Sequence, residues 1–216
     1  MVEGARSGDQ PGDVATIVDG RTARRDRNFE AVMDATIALI AEGRLTPTAA
    51  DVAARSGVSQ RSVNRYFGDV RTLQQAAAER EVTRGIPLFR IHAIGTGPRD
   101  HRVEEFVEVR IRAHLEIGPT ARAATLYAAT SKYIQAQMEV VRVLMRDQVE
   151  RQFAPELEVL ESQERAAMVL AVDTLFQFES LDHNLRELAI PPAELNELLC
   201  AVLRQLLSTT KVGRKG

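Results

Sequence analysis

Apolar positions along this chain recur at three- and four-residue spacing, and runs of strict alternation are missing. Phe29, Val32, Met33, Ile37 and Ile40 share one face with Thr36, and Gly43 supplies a stop. Ala, Leu, Glu, Arg and Gln dominate the chain beyond Gly43, which favours helix over strand. Interruptions at Gly57, Gly68, Gly85–Pro87, Gly95–Pro98, Gly118–Pro119, Pro155 and Pro191–Pro192 mark out about nine helices. The first three are short and lie within residues 28–67; the later ones are longer. Residues 1–20 carry glycines and a proline without apolar periodicity and read as a mobile tail. The pattern predicts an all-α protein: a tail (1–20), a small N-terminal three-helix unit (21–75) and a larger C-terminal helical bundle (76–216). The loop Gly95-Thr-Gly-Pro98 separates the small unit and its connector helix from the bundle. No Lys–Ser/Thr pair follows its glycines, so it is not a phosphate-cradling loop.

The short helices carry the most specific spacing. Thr48 can cap a helix, and Asp51 three residues on has capping-box spacing. An acid in the first turn also complements the helix dipole. Val52 and Ala53 face inward, and Gly57 can take the left-handed conformation of a helix end. Ser59 can then cap a second helix. Two short helices joined by a glycine turn form a helix-turn-helix. A small residue at Ala53 lets the second helix cross the first, and Val63 anchors that second helix. With Val63 and Phe67 inward, Gln60, Arg61, Asn64 and Arg65 form one outward face without acids, flanked by Ser62 and Tyr66.

That face has the chemistry of major-groove reading. The groove admits one helix; Arg pairs with guanine O6 and N7, and Asn or Gln with adenine N6 and N7. Hydroxyls and helix N-terminal amides suit phosphate. The plainer account is a solvated amphipathic helix. Charge distribution is compatible with DNA binding and equally with Arg as a common surface residue. The net charge is only −2, yet residues 21–27 hold four Arg against one Asp, and residues 44–71 hold five Arg against two Asp. A basic footprint confined to one module suits phosphate attraction. Within Arg21–Arg27, Arg24, Arg25 and Arg27 have two readings. They form an arm for the minor groove or the DNA backbone, or they solvate a helix start, where positive charge opposes the dipole.

The run TAADVAARSGVSQRSVNRYFGDVRTL, Thr48 to Leu73, resembles the TetR-type transcriptional regulators, together with the first helix, Phe29 to Ile40. The likeness is specific over about residues 24–75; beyond that it rests on length and helix count. FQFESLDHNL, Phe176 to Leu185, looks like the penultimate helix of many such regulators. The resemblance implies that Thr48 and Ser62 touch phosphate, that Tyr66 contacts the DNA backbone and that Phe67 is core. Ser59, Gln60, Arg61, Asn64 and Arg65 complete the expected contact set. Asn64 stands where the family commonly has Tyr, and Val70 where a Lys often clamps phosphate; Arg71 is the neighbouring substitute. These departures bear on which bases and phosphates are touched.

The C-terminal half is expected to dimerise and to sense. AAMVLAVDTLFQF, Ala166 to Phe178, is apolar almost all round and reads as a helix buried on several sides. After Pro191-Pro192, Leu195, Leu199, Val202 and Leu206 form a stripe that Leu198 and Leu203 widen. Two such helices from each protomer would form a four-helix bundle, and Leu181 joins this expected interface. The alternative is that both helices merely close their own core. A two-fold protein matches a palindromic operator. In the family the middle helices enclose a pocket for a small inducer; Phe106, His114, Tyr127, Tyr133, Met138 and Phe176 are the candidate lining here, each also readable as plain core.

Catalytic and metal constellations are missing from the sequence. The histidines at 92, 101, 114 and 183 lack metal spacing, and no His-Glu-x-x-His or Gly-x-Ser-x-Gly occurs. Glu104, Glu105, Glu108, Arg110 and Arg112 read as a solvated face. A single cysteine, Cys200, excludes an intrachain disulfide and a cysteine-based zinc site. No secretory leader or membrane-spanning run is evident. The expectation is a cytoplasmic, homodimeric, ligand-responsive DNA-binding regulator, most often a repressor, that binds double-stranded operator DNA without a catalytic residue, metal or cofactor. The alternatives are a helical adaptor, or a small helical enzyme in which the helix-turn-helix only packs.

Overall fold

Every regular element among the described residues, 20–44, 46–129 and 131–208 of this computed structural model, is helical. In chain order they are α1 (Gly20–Ala41), α2 (Ala49–Ser56), α3 (Gln60–Phe67), α4 (Val70–Gly85), α5 (Arg99–Ala128), α6 (Lys132–Gln152), α7 (Ala154–Leu157), α8 (Ser162–Leu175), α9 (Phe178–Asp182) and α10 (Pro192–Ser208). A 3-10 turn, Ile86–Phe89, follows α4, and a π turn, His183–Glu187, continues α9. The all-α expectation holds. Residues 1–19 of the expected tail lie outside the described residues. No helix among the described residues is long and apolar enough to cross a membrane.

Local chemistry explains the short helices. The Thr48 hydroxyl accepts from the Asp51 N–H at 3.2 Å, and the Asp51 carboxylate accepts from the Thr48 N–H at 2.9 Å. That capping box satisfies two otherwise orphaned amides. Hydrogen bonds from the Thr48 N–H and then the Thr48 hydroxyl hold the exposed Asp51 carboxyl below its ordinary range. Gly57 ends α2 at φ 70°, where a side chain would be strained. Ser59 caps α3 by accepting from the Ser62 N–H. Thr48→Ala should therefore lower stability by about 1 kcal/mol, read as a shift in the urea unfolding midpoint.

Three sequence expectations are corrected. Among the described residues α1 spans Gly20–Ala41, so Arg24, Arg25 and Arg27 are helical rather than on an extended arm. No breaker stands between Gly20 and Phe29, and Ala and Arg propagate helix. Gly118–Pro119 is not a break; α5 runs through it. Pro119 costs α5 the bond to the Leu115 carbonyl, and Leu115 is on the exposed side, where water can replace it. The expected helix Ala166–Phe178 stops at Leu175, and its Ala166, Ala167 and Leu170 are exposed rather than buried.

Two apolar clusters organise the chain. In the first, Val32 and Met33 of α1, Val52 of α2, Val63 and Phe67 of α3, and Leu73 and Ala77 of α4 pack together. The second gathers α5 to α10 around Phe106, whose ring meets Phe153 and Phe176 edge-on at 5.2 and 5.0 Å. A polar brace closes its end. Buried Arg102 donates to the Gln152 carbonyl at 2.6 Å and to Glu156 at 2.8 Å. Gln152 in turn accepts from the Gly95 N–H at 2.9 Å. A Cβ at Gly95 would sit 2.6 Å from the Arg151 carbonyl oxygen, so only glycine lets this loop seat.

α4 joins the clusters. Its Arg80 pairs with Glu30 and Asp34 of α1, both at 2.8 Å, and its Arg84 reaches Glu116 of α5 at 3.4 Å. The expected boundary at 75/76 falls inside this one continuous helix. The interface residues expected from the sequence divide. Leu181, Leu195 and Leu199 are buried in the protomer's own core, with Leu203 and Leu207 on the same side of α10. Leu206 is half-buried against that core, while Val202 and Leu198 are exposed. The buried stripe advances in fours along α10, so it faces inward and turns the 198/202 face out.

Candidate nucleic-acid interface and ligand cavity

α3 presents a divided surface. Val63 is 2% exposed and Phe67 is 7% exposed, and Phe29 of α1 stacks on Phe67 at 4.8 Å. With that face fixed, Gln60, Arg61, Asn64 and Arg65 are all exposed, side by side, as the sequence pattern requires. Ser62 and Tyr66 are half-buried at the edges. Ser59 donates its hydroxyl proton to the Ser62 hydroxyl at 3.0 Å, which leaves the Ser62 proton available to an outside acceptor. Thr48 differs: its hydroxyl donates to Asp51 at 2.8 Å, so its proton is committed to the cap.

The basic residues sort by partner. Arg44 pairs with Asp51 at 2.5 Å, and Arg55 pairs with Glu42. Among the described residues, no carboxylate pairs with Arg61 or Arg65. Arg71, exposed on the first turn of α4, stands beside the capping carboxylate of Asp69. Thus the free positive charge of the helix-turn-helix is concentrated on α3.

The structure also brings together residues distant in sequence. Asn28 of α1 donates to the Tyr66 hydroxyl at 3.5 Å. That bond, followed by the positive charges of Arg65 and Arg25, holds the Tyr66 phenol below its ordinary range. The Arg65 guanidinium lies 5.3 Å from the Tyr66 ring centroid. The first turns of α1 and the end of α3 therefore form one positive corner around a phenol. Asn28 was not among the sequence candidates; its position one residue before the buried Phe29 is the signal that could have found it.

A second feature lies between α4, α5, α6, α8 and α9, with Ile37 and Ile40 of α1 at its edge. It is a mostly apolar cavity of about 190 Å³. His114, Tyr127, Met138 and Phe176 border it; Phe106 and Tyr133 do not. Phe106 is fully buried in the second cluster. Tyr133 faces Glu79, its phenol pushed up by burial and then by that carboxylate. Burial pushes the His114 imidazole down, opposed by Asp182 at 3.4 Å, and its ring packs against Phe178 at 4.8 Å.

Arg110 departs from the solvated 104–112 face read from the sequence, on which Glu104, Glu108 and Arg112 are indeed exposed. It is 2% exposed and borders the cavity. Val103, Phe106, Val107, Arg110 and Ala113 are the buried stripe of α5, so its helical register was the overlooked signal.

No sequence-family model matches the chain, and no curated protein does. Solved structures do. One is a transcriptional regulator from Rhodococcus sp. Rha1, at TM-score 0.63 and 16% identity, covering 86% of this chain and 96% of that one. Another is a tetR-family transcriptional regulator from Streptomyces coelicolor, at TM-score 0.64 and 22% identity, covering 88% of this chain and 82% of that one. The class of molecule defined by fold is therefore an all-helical, helix-turn-helix protein with the architecture of these regulators. At such identities the likeness is one of fold.

Proposed function

We propose that this chain is a DNA-binding transcriptional regulator that acts as a homodimer and responds to a small molecule. The observation that carries the reading is the exposed, acid-free Gln60–Arg61–Asn64–Arg65 face on a helix pinned by Val63 and Phe67. Arg61 and Arg65 suit base edges in a major groove. Ser62, Tyr66 and the helical Arg24, Arg25 and Arg27 suit phosphates on its rim. Residues 21–75 serve as the reading unit and residues 76–216 as the sensing and dimerising unit, with α4 continuous between them.

The proposed mechanism is linkage. A dimer sets the spacing of its two α3 helices against successive major grooves. A ligand in the cavity touches α4 through Gln74, Ala78, Glu81 and Val82. If it favours a position of α4 in which that spacing is wrong, it weakens operator binding, and operator weakens ligand binding by the same factor. Repression of a palindromic operator, relieved by the ligand, is the natural outcome.

The test is a mobility-shift titration of the full chain against its own promoter and against bulk DNA. Arg61→Ala should cost about 1–3 kcal/mol on the preferred sequence and relax preference at one position. Tyr66→Phe should weaken all sequences nearly equally. Equal affinity for promoter and bulk DNA, unchanged by Arg61→Ala, removes the operator-reading claim.

A further inference from the structure

Arg110 is a buried charge that makes no direct ion pair among the described residues, with the Asp173 carboxylate acting on it only through space. Its Nη2 donates to the Met145 carbonyl at 3.0 Å and its Nη1 faces the Met145 sulfur. Its buried Nε has no partner. The guanidinium lies 4.8 Å from the Phe106 ring centroid and 5.5 Å from that of Phe89. Burial lowers its pKa to about 10, with Asp173 opposing the shift, so it stays cationic at neutral pH. Leaving an ionised group buried with an unmade bond is costly, and residual aromatic contact only partly offsets that.

Most of the other charged groups around the cavity have partners of their own. Asp173 accepts from Gln177 at 3.1 Å and pairs with Arg146 at 3.5 Å. Arg142 pairs with Glu139 at 3.3 Å, and Glu81 faces Arg84 at 3.7 Å, its Oε1 buried without a hydrogen bond. Glu179 borders the cavity at its rim, where water screens it. Burial keeps His114 toward its neutral form. Among the described residues, Arg110 borders the cavity with no ion pair of its own.

We infer that the cavity takes a small organic monoanion, a carboxylate joined to an aromatic or branched apolar body, with the carboxylate seated on Arg110. This rests on the ligand-responsive reading above and names the ligand's chemistry. A guanidinium fork matches a carboxylate in shape and charge. The remaining wall is mostly apolar and suits a body without further polar groups. An apolar cavity of about 150 Å³ holds benzene, so about 190 Å³ accommodates one ring with a head group. Met145, a flexible thioether and weak acceptor, yields its place on the guanidinium to a better acceptor.

Calorimetric titration of the full chain with two matched pairs decides the matter: benzoate against benzamide, and 3-methylbutanoate against its amide. At least one acid should bind about tenfold or more tighter than its amide. Arg110→Met should abolish that preference, and Arg110→Lys should restore part of it. Acid preference in neither pair overturns the inference, as does binding by none of the four. Retention of the acid preference in Arg110→Met does the same. If Arg110→Met does not fold, the acid-to-amide ratio in the unaltered chain decides. Mobility shifts with the same compounds separate the two readings. Amides that bind equally and still release DNA remove only the anion site. Acids that bind on Arg110 without affecting DNA keep the anion site and remove the regulatory reading.

Discussion

Phe67→Ala is expected to destabilise the protein by about 3–5 kcal/mol and to abolish DNA binding at concentrations where the unaltered chain is saturated. Phe67 is the last residue of α3, 7% exposed and stacked on Phe29 at 4.8 Å with an interplanar angle of 25°. It lies one turn beyond Val63 on the same buried face. The first cluster is small, so a cavity left by a lost ring has few large neighbours to refill it. Domains of this kind hold only about 5–15 kcal/mol in total, and the loss falls on the helix that presents Arg61 and Arg65. Urea unfolding measures the first effect, and a mobility shift on the folded fraction measures the second. A midpoint shift no larger than that of Thr48→Ala would contradict the anchoring role.

The two halves of the molecule differed in how far their sequence could be read, and the reason is physical. α2 and α3 are built from local bonds: a cap, a capping box, a left-handed glycine and a four-residue apolar step. Each of those lies within a few residues, so spacing alone located Ser59, Val63 and Phe67. The Asn28–Tyr66 contact joins residues 38 apart, and the Arg25 charge acts on the same phenol only because α1 and α3 pack together. No local pattern encodes that packing. In the bundle the leucines of α10 allowed two faces, and packing against α5 decided for 195, 199, 203 and 207. Arg110 shows the same limit from the opposite side. Its charge suggested solvent, while its register on the stripe of Val103, Phe106 and Val107 carried it into the interior.

That assignment of faces determines how dimerisation can be tested without disturbing the fold. Leu198 and Val202 are 49% and 40% exposed and one turn apart on α10; Leu170 of α8 is 57% exposed. Apolar side chains held in water at this spacing suit a helix–helix seam. The double substitution Leu198→Glu, Val202→Glu is expected to leave helicity and the unfolding midpoint nearly unchanged, because neither side chain fills the protomer's core. It should convert the proposed dimer to a monomer in size-exclusion light scattering. Operator affinity should then fall by about 10²–10⁴-fold, since the second α3 no longer binds at the high effective concentration that a tethered partner has. Leu195→Glu is the contrasting control. It places a charge in the buried cluster and should unfold the chain outright. A folded monomer that keeps full operator affinity would mean that one copy of α3 suffices, and the palindromic, two-groove mechanism would fall with it. A dimer that persists with both charges in place would move the seam off this face of α10.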